Sequence, residues 1–85
     1  MEIYYYHKFR KNYKKLPEQV KLAAERKEQI FKKDPFDKRL KSHRLHGDLV
    51  EFFSFSVNKN YRIIFDFIGK NIARFYDIGT HDIYN

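Results

Sequence analysis

Arg62 stands in the segment YRIIFDFI, residues 61–68, where nearly every neighbour is apolar. A guanidinium in such a run must reach solvent, pair with an acid, or meet an anionic ligand. Asp66 falls on the same face by two-residue alternation and offers an ion pair. The alternative is a phosphate, two of whose oxygens match the planar fork of arginine. His81 follows Gly79 and Thr80 just past the last apolar run. An ordinary imidazole titrates near about pH 6.5, so it can give or take a proton at neutral pH; the competing reading is a plain surface histidine. His43 and His46 lie three apart in the basic run FDKRLKSHRLHGD, residues 36–48. Either could accept the proton of a ribose 2′-OH while Lys41 and Arg44 hold a phosphate backbone, and the local sequence leaves both open. Tyr84 is open to packing or to base stacking.

A chain without cysteine and without metal-ligand spacing such as CxxC predicts no disulfide, no metal and no cofactor. Beside the plain structural readings, the chemistry these side chains could do is proton transfer around a phosphate.

Such residues need elements to hold them. MEIYYY, residues 1–6, is rich in β-formers and predicts a strand. Phe9, Tyr13 and Leu16 share one helical stripe, and Lys8, Arg10, Lys11, Lys14 and Lys15 cover the rest. Pro17 breaks that helix and suits the start of a second one, from about Pro17 to Lys33, with Glu18 near the positive end of its dipole. Pro35 ends it by disfavouring helical geometry at Asp34. Residues 36–48 have no clean period and read as an ordered connection anchored by Phe36, Leu40 and Leu45. From Val50 the period changes to two, giving a strand to Val57. Asn58–Asn60 and Gly69–Asn71 make tight turns around a strand over residues 61–68, buried on both faces, and a last strand covers residues 72–78. Turns this short dictate antiparallel neighbours. The order is strand, helix, helix and three strands, an α+β arrangement.

Eighty-five residues predict one domain, 1–85, burying only roughly 60–65% of the surface that the unfolded chain exposes. The 9 Phe and 7 Tyr must supply much of that core. The 18 Lys+Arg outnumber 11 Asp+Glu to give +7, which favours an anionic partner, nucleic acid or an acidic protein segment. Residues 8–44 carry 14 of the basic side chains against 5 acidic ones, so the positive surface belongs to the first half. A solvated lysine-rich helix surface would look the same. No apolar run reaches signal-peptide or membrane-spanning length, which predicts a soluble, cytoplasmic protein with no membrane partner.

Four segments in order, FRKNYKKLP at 9–17, DPF with HRLHG at 34–47, FSFSVNKNYRIIF at 53–65 and DIGTHDIY at 77–84, resemble the RelE/ParE superfamily of toxins from type II toxin–antitoxin systems. The likeness is strongest to its RelE/StbE branch and YafQ-like members. It implies the RelE-like fold: a twisted antiparallel sheet in the order β-α-α-β-β-β, with an N-terminal helical hairpin packed on one face. It also implies a ribosome-dependent mRNA interferase, a metal-independent endoribonuclease that works in the ribosomal A site. There a ribose 2′-OH attacks the adjacent phosphate and leaves a cyclic phosphate and a 5′-OH. On that resemblance Arg62 stabilises the pentacoordinate phosphate, His81 is the general acid toward the leaving oxygen, His43 is the general base, and Tyr84 orients a base. Lys38, Arg39, Lys41, Arg44, His46, Lys59 and Tyr61 are the expected RNA-binding residues.

The partners implied are a cognate antitoxin with an acidic or amphipathic segment, the ribosome and mRNA. The alternative within the same superfamily is a ParE-like, non-enzymatic poison of DNA gyrase. Three departures from the pattern stand out: Ser56 occupies the place of a further YafQ-like histidine, RelE-like members have lysines and a second arginine where this chain has histidines, and the glutamate of YoeB-like members has no match here.

Overall fold

The computed structural model describes the backbone of residues 1–84 and the side chains of residues 1–83. Strand β1 (Glu2–Tyr5) is followed by helices α1 (His7–Lys14) and α2 (Glu18–Lys33). Strands β2 (His43–Arg44), β3 (Phe53–Ser56), β4 (Arg62–Gly69) and β5 (Ile72–Gly79) complete the sheet, and one short 3-10 turn, His81–Tyr84, follows it. Pro17 sits immediately before α2 with φ −58°, and Glu18 occupies the first turn. At the other end Asp34 is already extended, at φ −159°, as the proline after it requires. Both helices end in lysines, which complement the negative pole of the dipole.

The sheet order is β1-β5-β4-β3-β2. The meander of β3, β4 and β5 is antiparallel throughout, as its short turns demand. β1 departs from the expected all-antiparallel sheet: it runs parallel to β5, with Glu2 opposite Ile72 and Tyr5 opposite Phe75. The physical reason is the connection. A two-helix crossover carries the chain to the far edge of the sheet and imposes no reversal on β1, whereas a tight turn does. The connection over residues 36–48 adds a fifth strand, β2, whose two residues lie opposite Ser54 and Phe53.

Both helices pack on one face. Phe31 of α2 is fully buried, with its ring 5.2, 4.8 and 5.1 Å from those of Phe55, Phe65 and Phe75. Phe9 of α1 meets Phe75 at 5.5 Å and Tyr5 at 5.6 Å. Leu40, from a 3-10 turn over Lys38–Leu40, seals the same core. Ile64 and Leu45 are buried outside that cluster. Ile63, Ile64 and Phe65 are thus buried in succession, as a strand covered on both faces must be. A register shift after Ile64 leaves Tyr76 without a partner opposite, and its ring stacks with Tyr6 at 5.0 Å and meets Phe52 at 4.8 Å.

The phenol of Tyr5 donates to the carboxylate of Glu28 and joins β1 to α2. Burial, then this bond, push the phenol well above its ordinary pKa of 10.0. A raised folded-state value means that this contribution to stability is fully present below about pH 10 and is lost as pH rises further. Spectrophotometric titration of the 7 tyrosines is expected to show one that ionises only as the protein unfolds. In Tyr5→Phe that late step should vanish; its persistence would assign it elsewhere.

Candidate active site

Arg62 opens β4 opposite Ser56 of β3 and Gly79 of β5. The turn before it is built by Asn58, whose side-chain oxygen accepts from the backbone N–H groups of Asn60 and Tyr61, both at 2.9 Å. Val57 N–H donates to the Tyr61 carbonyl at 2.9 Å and closes the hairpin. The ion pair with Asp66 does not form. Asp66 is taken by Arg74, directly across on β5, through two bonds of 3.0 and 2.6 Å. The correction has a simple cause: Arg74 is the opposed cross-strand neighbour, whereas Arg62 lies four residues along the same strand. Among the described residues no carboxylate lies within 4.0 Å of Arg62.

Arg62 meets His81 instead, Nη2 to Nε2 at 3.2 Å. A guanidinium only donates, so His81 accepts through Nε2 and carries its proton on Nδ1. Gly79 makes this meeting possible. A Cβ at position 79 would collide with the Ile83 side chain, so only glycine lets the 3-10 turn fold back over the end of β5. Gly79→Ala is expected to displace that turn and separate His81 from Arg62. A change in the His81 ring resonances without loss of the folded spectrum would register it; an unchanged His81 would refute it.

His81 opens onto a hollow of about 410 Å³ lined also by Asn60, Tyr61, Thr80 and Asp82. Tyr61 is half-buried and packs against the core as well as lining this hollow. Lys59 is exposed in the turn beside it. The side chain of Tyr84, the remaining residue of the expected catalytic group, lies outside the described residues.

His43 reaches the same face by register: it is opposite Ser54, which is opposite Ile64, two residues along from Arg62. Strand spacing and rise put the backbones of His43 and Arg62 roughly 12 Å apart, on one face and out of contact. The His43 Nδ1 lies 3.2 Å from the Lys41 carbonyl, which can only accept, so Nδ1 carries the proton and Nε2 keeps its lone pair. Lys41 itself takes a left-handed conformation, φ 55°, just before β2.

The other expected RNA-binding residues are dispersed. Arg44 points to the helix-bearing face, with its guanidinium 4.7 Å above the Phe53 ring and Nη1 donating to the Val50 carbonyl at 3.0 Å. Arg39 is held by Asp37 through bonds of 3.0 and 2.9 Å, and hydrogen bonds from the Arg39 side chain and backbone lower the Asp37 carboxyl to about 2. Lys38 shares that exposed turn, and His46 is exposed just before Gly47.

Sequence reasoning missed Asp77. It is buried, accepts from Asn12 Nδ2 at 2.7 Å and from the Ile78 N–H at 2.8 Å, and lies 3.6 Å from Lys8. It ties α1 to β5 two residues before Gly79. An acid inside the apolar run IARFYDI was the available signal. Among the described residues no group of three or more His, Cys, Asp and Glu side chains could hold a metal ion, and no helix is long and apolar enough to cross a membrane.

No family model and no curated protein matches the chain. Solved structures do match over nearly its whole length, and the fold they share with it is that of RelE/ParE-type toxins. A YoeB/ParE toxin from Agrobacterium tumefaciens superposes with a TM-score of 0.81 at 15% identity, covering 95% of this chain and 99% of that one. A YafQ mutant from E. coli gives 0.72 at 22% identity, covering 98% and 96%. The YoeB–YefM complex from Staphylococcus aureus gives 0.78 at 13% identity, covering 95% and 97%. At such identities the likeness is one of fold.

Proposed function

We propose that this chain is the toxin of a toxin–antitoxin pair and a ribosome-dependent mRNA interferase. The observation that carries the reading is the Arg62–His81 pair: a cation with no carboxylate within 4.0 Å among the described residues, 3.2 Å from an imidazole nitrogen, beside an open hollow. One phosphate can meet both groups. His43, with its free lone pair on Nε2, takes the proton of a ribose 2′-OH. The 2′ oxygen then bonds to phosphorus, the bond from phosphorus to the 5′ oxygen breaks, and that oxygen leaves with a proton from His81. Cyclic phosphate and 5′-OH result. Arg62 holds the extra negative charge that develops between these steps. As the acid His81 carries a proton on both ring nitrogens, so its contact with Arg62 through Nε2 gives way to the phosphate that both groups then face.

An antitoxin partner accords with the similar folds of YoeB in its YoeB–YefM complex and of the RelBE2 toxin–antitoxin complex from Mycobacterium tuberculosis. The test adds purified protein to ribosomes programmed with a defined mRNA, with ribosome-free mRNA as control, and maps new 5′ ends. New ends bearing 5′-OH that need the ribosome are expected. Intact mRNA, with a protein that still arrests growth, would overturn the reading. A gyrase supercoiling assay would then test the ParE-like alternative.

A further inference from the structure

The hollow beside His81 holds groups that the cutting chemistry leaves unused. Asn60, Thr80 and Asp82 line it, and among the described residues none of their side chains makes a hydrogen bond or an ion pair. Asp82 is exposed in the first turn of the short 3-10 segment that His81 opens. Its carboxylate stands next in sequence to a histidine that meets an arginine, in a chain of net charge +7, where it would repel a phosphate rather than hold one. What a carboxylate can hold is a pair of N–H donors. Tyr61 gives the same hollow an aromatic wall on which a planar ring can stack. The space, about 410 Å³, lies within the range of about 300–1,000 Å³ for small-molecule sites.

We propose that this hollow seats the base of the nucleotide on the 3′ side of the cut and selects guanine there. Its location follows from the proposed cutting chemistry, on which this inference rests: His81 gives its proton to the 5′ oxygen of that nucleotide, whose base hangs from the same sugar, and the hollow is the space onto which His81 opens. The choice of base falls to Asp82. Guanine alone among the RNA bases presents adjacent N–H donors, on N1 and N2 of its Watson–Crick edge, and the oxygens of one carboxylate accept both. Adenine and cytosine place a bare ring nitrogen beside the amino group, and uracil sets its N–H between carbonyls. Each would turn a lone pair toward the carboxylate. The Asn60 side-chain amide can donate to the guanine O6 from another side of the hollow.

The test has two arms. In the first, isotope-labelled protein is titrated with single-stranded trinucleotides that differ only in the 3′ base: guanine, hypoxanthine, which lacks just the N2 amino group, or adenine. Amide shifts at Tyr61 and Asp82 are expected, with guanine bound about tenfold tighter than either of the others. Asp82→Asn, an exposed change that the fold should tolerate, is expected to bring the three affinities together. Unmoved amides at Tyr61 and Asp82, or equal affinities in the wild type, would overturn the inference. In the second arm, ribosomes are programmed with mRNAs that carry guanine or adenine 3′ of the cut. Cutting before guanine should be about tenfold faster, and Asp82→Asn should take that ratio close to one. A ratio that Asp82→Asn leaves unchanged belongs to the ribosome's own reading of the base and sinks the inference while the cutting reaction stands. Intact mRNA beside guanine-selective binding in the first arm would overturn the cutting chemistry instead, and with it the place of this base in a reaction.

Discussion

Replacing His81 by alanine is expected to lower ribosome-dependent cleavage by about 10² to 10⁴, the usual contribution of a positioned acid or base. The variant should fold normally, because His81 is exposed and surface changes of this kind usually stay within about 0.5 kcal/mol. Arg62→Ala should cost about 10² to 10³, as removal of a donor to developing negative charge does, and Arg62→Lys should recover part of it by restoring charge without the fork. The two losses should not multiply in the double variant, since the side chains touch at 3.2 Å and on the proposed mechanism would share one phosphate. Wild-type cleavage rates in both single variants would remove this pair from the mechanism and move attention to His43 and the lysines.

Phe31→Ala is expected to cost about 3 to 5 kcal/mol. The ring is fully buried and touches three other phenylalanine rings from three different strands, so its loss opens a cavity where α2 meets the sheet. A domain of this size has only roughly 4 to 13 kcal/mol in hand, so the variant should be marginal or unfolded at 37 °C. Urea unfolding followed by circular dichroism measures it. A loss below about 1 kcal/mol would mean that neighbouring side chains collapse into the space, contrary to a core made of interlocked rings.

Elements with a strong period could be read from the sequence. The α2 boundaries follow from Pro17 and Pro35, and the meander follows from its turn residues. What escaped depends on partners distant in sequence. The direction of β1 is set by a crossover that has no local signal, and β2 is too short for alternation to appear. Position 62 was legible as unusual, yet its partner was not: Asp66 is nearest along the strand, but register hands it to Arg74. His81 was visible as a lone imidazole after Gly79 and Thr80, while the role of Gly79 depends on where Ile83 packs. Arg39 and Arg44 read as free cations in a basic run, and local folding engages one with Asp37 and the other with Phe53.

The parallel pairing of β1 with β5 joins residues about seventy positions apart, Glu2 with Ile72. Of these strands the first to leave a ribosome thus waits for β5, which also brings Phe75, which the core needs, and is followed by His81, which meets Arg62. The sheet closes only once β5 is out. On a ribosome β1 and both helices must therefore wait without their partner strand until β5 follows, and Arg62 has no His81 to meet before then.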